Sequence, residues 1–314
     1  MTVPFIVSIA LLFGLGLFLF NEIRRPPGPR EWGRTPRWKK RIRITLAVIP
    51  LLIASFFFWG LLIEPNRLVV HREVVTIANW PKELNDLKIA VISDIHVGSW
   101  GVDDRKLRSI VERTNQLQPE MIVILGDYMT GNGTFRQRVE PEVFGPVLKN
   151  LRAPLGVYSV LGNHDWWGDA PRLRSALEAN GIKVLDDEVL EVKLRGHAMW
   201  LAGLADLWTR PQRVNETIAK IPGGQPIIAL THNPDIFPRL PQRVPILLAG
   251  HTHAAQIMFP IIGPIVRPSN HGYVRGQYYE NNHHLFVTSG IGNSIIPIRF
   301  GVPPEIVLLT IKSQ

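Results

Sequence analysis

Five short apolar runs constrain this chain more than any other feature: Ile89–Ile92, Met121–Leu125, Val157–Leu161, Ile227–Leu230 and Ile246–Ala249. Each has the length of a strand and is too short to make a convincing helix. Helical patterns lie between them. Over Asp103–Gln118, residues Leu107, Ile110, Val111, Thr114 and Leu117 share one face, with Asp103 or Asp104 placed to cap the start. A second helix starts at Asp169-Ala170-Pro171-Arg172, turns Leu173, Ala176 and Leu177 inward, and stops at Asn180-Gly181. From Gln256 to Ile311 the chain is rich in Gly, Pro and β-branched residues, with strands expected at Leu285–Val287 and Glu305–Ile311. The alternation predicts an α/β domain.

The way the five runs end carries the chemistry. The first leads into Asp94-Ile95-His96, the second into Gly126-Asp127, and the third into Gly162-Asn163-His164-Asp165. The fourth leads into Thr231-His232-Asn233 and the fifth into Gly250-His251-Thr252-His253. A single Asp after a strand is ordinarily a cap, and a lone His-x-His is a weak signal. Five such endings at the carboxyl ends of strands, where α/β sheets place their ligands, point to one shared site.

Asp94, His96, Asp127, Asn163, His232, His251 and His253 offer oxygen and imidazole donors, and the chain contains no cysteine. That set suits Mn, Fe, Zn or Co rather than a thiolate-seeking metal. Seven ligands are too many for one ion and suit two that share a carboxylate. Metal pairs about 3.5–4 Å apart clamp the attacking and leaving oxygens of phosphoryl transfer and lower the pKa of bound water. Gly126, Gly162 and Gly250 let the backbone pass close by without a Cβ. An extended strand end would send the imidazoles of His251 and His253 to one face, each able to meet a different metal.

The formal net charge of +9 is unevenly placed. Arg24, Arg25, Arg30, Arg34, Arg37, Lys39, Lys40, Arg41 and Arg43, against Glu22 and Glu31, contribute +7 of it. From Arg67 onward the signs nearly balance, which argues against nucleic acid as a partner. Uncharged stretches flank the basic segment, at Val3–Phe20 and Ile44–Ile63. A spanning helix needs about 20 apolar residues, so the second qualifies and the first is marginal. Neither has the form of a cleaved signal peptide. The positive-inside rule keeps the basic segment in the cytoplasm and puts everything after the second span on the far side. The other reading lays Ile44–Ile63, interrupted by Pro50 and Gly60, along the interface and leaves the domain in the cytoplasm. Trp32 and Trp38 fit an interfacial anchor on anionic lipid. The expected organisation is a membrane anchor over residues 1–66 and a catalytic domain over 67–314.

The ordered set Asp-x-His, Gly-Asp, Gly-Asn-His-Asp, a separate His and Gly-His-Thr-His resembles the calcineurin-like metallophosphoesterases, over roughly Leu87 to Ile311. It is most similar to their membrane-anchored bacterial YkuE/YaeI-like branch, with Glu64-Pro65 at the junction and Arg299-Phe300-Gly301-Val302-Pro303-Pro304-Glu305 as the closing segment. The resemblance implies a four-layer αββα sandwich preceded by N-terminal transmembrane helices. It implies Asp94, His96 and His253 on a first metal, Asn163, His232 and His251 on a second, and Asp127 bridging them, with metal-bound hydroxide as nucleophile. His164 would assist the leaving oxygen rather than ligate, and Asp165 would orient His164 or its loop. One departure is Ala254-Ala255, where the family pattern has glycines; a positive φ there would strain the turn by about 1 kcal/mol or more.

Arg299 has the shape to meet a phosphate oxygen, and Trp166, in Trp166-Trp167, could wall in a lipid or sugar; structural packing is the other reading of both. His283-His284 reads as a solvated hairpin turn. The function implied is a membrane-anchored phosphoesterase or pyrophosphatase with two divalent ions, acting on an envelope or lipid-linked substrate at the plasma (inner) membrane from the extracytoplasmic face. Two alternatives are a UDP-2,3-diacylglucosamine pyrophosphatase of lipid A synthesis at the cytoplasmic face and a non-catalytic metal- or lipid-binding module.

Overall fold

The computed structural model describes residues 37–314, together with 13, 14, 16–18, 20 and 21. The first apolar stretch, most of the basic segment and Trp32 therefore lie largely or wholly outside the described residues. The chain divides into two compact units, Met1–Glu64 and Pro65–Gln314.

In the first unit, helix α1 (Arg37–Phe58) runs through Pro50 and continues into a wider helical turn over Trp59–Ile63. The apolar helical stretch Ile44–Asn66 is long enough to cross a membrane. Leu46, Leu52 and Phe58 stand exposed along it, as on a helix that is apolar all round.

The second unit is a mixed α/β sandwich of two six-stranded sheets. The first sheet runs in the order β1 (Val69–Ile77), β14 (Glu305–Ser313), β2 (Leu87–Ile92), β3 (Met121–Leu125), β4 (Val157–Val160), β5 (Ile182–Val184). The second runs β12 (Gly276–Glu280), β13 (His283–Val287), β9 (Ile246–Ala249), β8 (Ile227–Leu230), β7 (His197–Gly203), β6 (Glu188–Leu194). Strands β2 to β5 are mutually parallel, as are β7, β8, β9 and β13. Their carboxyl ends carry the Asp, Asn and His clusters.

The apolar runs are continuous because both faces of these strands are covered. Ile89, Val91, Val123, Leu125, Ile228, Leu230, Ile246 and Leu248 fill the space between the sheets. On the outer face of the first sheet, Ala90, Ile92, Ile122 and Ile124 meet Leu107 and Ile110 of α2 (Asp104–Gln116), Phe144 of α3 (Pro141–Leu148) and Leu173 of α5 (Ala170–Ala179). The second sheet is covered more sparsely, by Val214 and Ile218 of α6 (Val214–Ala219) and by Ile236 and Phe237 of a 3₁₀ segment.

Both predicted helices form with the expected caps. The Asp103 carboxylate accepts from Lys106 N at 2.8 Å, and that of Asp169 from Arg172 N at 3.1 Å. The His283-His284 reading needs correction. Asn281 and Asn282, with φ of 51° and 66°, make the hairpin turn. His283 is buried, with its Nδ1–H directed at Val244 O at 2.6 Å.

Candidate metal centre

Each expected donor sits just beyond the carboxyl end of a parallel strand, and these segments are laced together by backbone bonds. Asp94 N donates to Gly126 O at 3.0 Å and His96 N to Asp127 O at 3.0 Å, extending the β2–β3 pairing past the strand ends. Gly250 N donates to His232 O at 3.0 Å and does the same for β8 and β9. A Cβ on Gly250 would fall 1.9 Å from Ser93 Oγ and 2.7 Å from Asp94 Oδ2, and one on Gly162 2.2 Å from Asp127 Oδ1. The glycines are needed here because their loops back directly onto the segments that carry Asp94 and Asp127. Gly250→Ala should push back Ser93 and with it Asp94, and lower turnover by roughly 10²-fold, the usual effect of about a 1 Å misplacement, measurable on a phosphodiester.

The donors converge as pairs of facing atoms. Asp127 Oδ2 stands 3.5 Å from His96 Nε2 and 3.2 Å from His232 Nε2, which places one oxygen between the two halves of the cluster. On one side, His253 Nε2 lies 3.1 Å from His96 Nε2 and 3.2 Å from Asp94 Oδ1. On the other, His251 Nδ1 lies 3.1 Å from His232 Nε2. Asn163 joins the cluster from α4 (Asn163–Trp167). A carbonyl only accepts, so His96 Nδ1, 3.0 Å from Met129 O, and His232 Nδ1, 2.7 Å from Leu125 O, are the ring donors. Each Nε2 is thereby turned to the cluster, the arrangement that orients metal-ligating imidazoles.

These residues fit a bound cation. Asp94 Oδ1 and Asn163 Oδ1 are buried acceptors with no hydrogen-bond donor, a costly condition that a metal ion relieves. Asp94, His96 and His253 lie close enough to hold one, as do Asp94, Asp127 and His232, and also His96, Asp127 and His164. Burial lowers the pKa of His96 and of His251 to about 3, keeping both imidazoles in the neutral form that ligates. Burial, with the like charge of Asp127 added, pushes Asp94 up to about 6 against the pull of His232. Burial also pushes Asp127 up, but His232, His96 and His164 outweigh it and hold this carboxylate below its ordinary range. Asp94, His96, Asp127, His251 and His253 all adopt positive φ, and strain of this kind clusters at functional sites. Ala254 and Ala255 are left-handed too, at φ 47° and 62°, so the turn carries the strain expected when alanine replaces glycine.

Asp165 does not face the cluster. It is fully buried, and its Oδ2 accepts from Asp127 N at 2.8 Å and Gly162 N at 3.0 Å. Its Oδ1 accepts from Tyr128 N at 2.9 Å and Met129 N at 3.1 Å. It is a brace between two donor loops, a positioning residue that holds the loop of His164 rather than the His164 ring. His164 lies half-buried at the rim, its ring 4.8 Å edge-on to His96 and its backbone N–H donating to Asp127 Oδ1 at 2.9 Å.

Two further expectations are corrected. Arg299 is fully buried, with Nη2 donating to Gly292 O at 2.6 Å and Ser289 O at 3.1 Å, and Nη1 to Val302 O at 3.1 Å. It braces the loop after β13 rather than reaching for phosphate. That loop backs onto Asp94 and His96, with Gly292 N donating to Asp94 O at 2.6 Å. Trp166 packs partly buried against the helical core with the Arg210 guanidinium over its ring at 4.5 Å. The exposed aromatic is its neighbour, Trp167, 5.0 Å from His164 and 6.4 Å from Trp208. Trp208 in turn lies 4.3 Å edge-on to His251, so the two indoles wall the cluster. Trp208 is absent from the sequence reading, though a signal exists: three residues past the end of β7 comes a polar residue, Asp206, whose Oδ2 accepts from Trp208 N at 3.1 Å.

A two-sheet α/β sandwich with this donor set at its edge defines a metal-dependent phosphoesterase. The chain belongs to the calcineurin-like phosphoesterase family, whose pattern it matches over residues 87–255. It is 28% identical to the uncharacterised metallophosphoesterase YkuE of Bacillus subtilis, over 85% of this chain and 94% of that one. It is 30% identical to an uncharacterised metallophosphoesterase of Helicobacter pylori (strain J99), over 97% of this chain and 79% of the relative. A zebrafish transmembrane protein with metallophosphoesterase domain is 31% identical over 76% of this chain, which spans 56% of that protein.

Proposed function

We propose that the chain is a membrane-anchored phosphoesterase using two divalent metal ions to hydrolyse an envelope or lipid-linked phosphoester or pyrophosphate. The observation that carries this reading is the position of Asp127 Oδ2 between His96 and His232, with the donorless Asp94 Oδ1 and Asn163 Oδ1 in the same cluster. Asp94, His96 and His253 would hold one ion, Asn163, His232 and His251 the other, and Asp127 both. When bound, such ions supply neutralisation of phosphate charge and a water of lowered pKa.

The protein's own groups do the rest. The N–H···O=C bonds of His96 and His232 fix the ring orientations, and Asp165 fixes the loop that carries Asn163 and His164. His164 Nε2, 3.5 Å from Ser294 Oγ, is placed to give a proton or hydrogen bond to the departing oxygen. Trp167 and Trp208 offer an apolar wall to the group beyond the phosphate. His164→Ala should lower kcat by roughly 10²–10⁴-fold, the range of general acid catalysis, while metal content is retained. The loss should be smaller for a 4-nitrophenyl ester, whose leaving group needs no proton. An equal loss for alkyl and nitrophenyl esters would remove His164 from that role.

The anchor reading draws support from Ile44–Asn66 and from the transmembrane-named relative. Its orientation rests on the basic segment before it. The chain lacks cysteine, so Arg30→Cys and Asn282→Cys report topology cleanly with a membrane-impermeant maleimide on intact cells. Labelling at Asn282→Cys with protection at Arg30→Cys is expected. Protection of both until cells are opened would put the domain in the cytoplasm and make a cytosolic nucleotide-lipid pyrophosphate the leading substrate.

A further inference from the structure

The metal centre and its aromatic wall leave one conspicuous surface unexplained. No polar or charged side chain occurs between Ile257 and Val266. This segment forms a small antiparallel ribbon of β10 (Met258–Phe259) and β11 (Gly263–Pro264). Around its tip, Ile261 is 98% exposed, Ile262 79%, Ile265 62% and Val266 61%. Ile295, at 84%, and Ile296, at 43%, extend the exposed apolar surface from a second turn.

The two turns belong to one frame. Gln256 Nε2 donates to Ile296 O at 2.8 Å and Ile298 O at 3.0 Å, and Ser294 N returns a bond to Gln256 Oε1 at 2.8 Å. Met258 N donates to Phe300 O at 2.8 Å. That frame begins at the site itself: Gln256 follows closely on His253, and Ser294 Oγ lies 3.5 Å from His164 Nε2.

The side chains at the tip are aliphatic, and an exposed arginine, Arg267, follows at once. Protein interfaces favour Trp, Tyr and Arg anchors at their centres, whereas an aliphatic tip with a cation behind it suits acyl chains beneath a phosphate headgroup layer. Read as a span, the apolar stretch Ile44–Asn66, which ends just before β1 begins at Val69, would hold the domain at a bilayer.

We propose that the β10–β11 tip and the Ile295–Ile296 turn insert into the membrane that holds the chain's own span. The metal centre then opens at the lipid surface, and its substrate is a phosphate ester carried by a membrane lipid. This rests on reading Ile44–Asn66 as a span and the donor cluster as a phosphoesterase centre.

The test uses the full chain in bilayer discs of neutral and anionic phospholipid, with a nitroxide at Ile261→Cys, at Ile295→Cys or, as an aqueous reference, at Asn282→Cys. Power saturation compares collisions with oxygen, which partitions into lipid, and with a water-soluble nickel chelate. Oxygen should dominate at 261 and 295 and the chelate at 282. Chelate accessibility at 261 equal to that at 282 would overturn the proposal. So would shielding from both reagents in detergent and bilayer alike, because that result identifies a protein surface over the tip. The labels report insertion whether or not hydrolysis is found, so failure of the phosphoesterase reading would appear separately, in a turnover assay on the same samples.

Discussion

Asp127→Asn should abolish phosphoester hydrolysis, lowering kcat by roughly 10³-fold or more, and should also lower metal content. The size of the effect follows from where one atom sits. Asp127 Oδ2 faces His96 Nε2 at 3.5 Å and His232 Nε2 at 3.2 Å, while Oδ1 is committed to the His164 N–H at 2.9 Å. If the amide keeps its oxygen toward His164 N, its NH₂ points between the two halves of the cluster. A donor then replaces the shared acceptor, and Asp94 is left as the one carboxylate of the donor set. If it flips, the NH₂ meets the His164 N–H and disturbs the α4 loop instead. Neither orientation preserves both roles. Elemental analysis and a phosphodiester assay on the same purified sample check the prediction. Full turnover in the variant would overturn the bridging assignment.

Asp165→Asn should have a comparably large effect for a different reason. The carboxylate divides its two oxygens between two pairs of backbone N–H groups: Asp127 and Gly162 on one, Tyr128 and Met129 on the other. An amide keeps only one of those oxygens, and its NH₂ must confront two donors whichever way it turns. Two buried N–H groups are left without an acceptor, a destabilisation of roughly 2–5 kcal/mol. Chemical denaturation should therefore show a lowered midpoint, and activity should fall because the loops carrying Asp127, Asn163 and His164 lose their shared brace. Unchanged stability in Asp165→Asn would mean that the four bonds are not the brace described here.

The sequence was most legible where burial is two-sided. The runs of β3, β8 and β9 are bounded as their apolar residues suggest, because a strand covered on both faces needs no polar alternation. The cluster was legible for the same reason: each such run ends abruptly, and the residue after it is the first free to be polar. Edge strands were harder to see. β1 and β6 carry charged residues and stay half exposed along most of their length, so no apolar run marks them. Side-chain direction was legible on the helices and not in the loops. Arg299 and Trp166 have the right chemistry for substrate, yet the fold turns Arg299 onto backbone carbonyls and Trp166 onto the core, leaving the adjacent Trp167 at the rim. Trp208 arrives from a loop distant in sequence, through Asp206, and only the pairing of β7 beside β8 brings it to His251.

The central claim is that two ions share Asp127. It is tested most directly by the metal-to-protein ratio of the full-length chain in detergent, titrated with Mn²⁺ and assayed for phosphodiester hydrolysis at each step. The proposed function predicts saturation at two ions per chain, with turnover rising as the second site fills. Saturation at one ion with full turnover, or turnover undiminished after chelation, would contradict it.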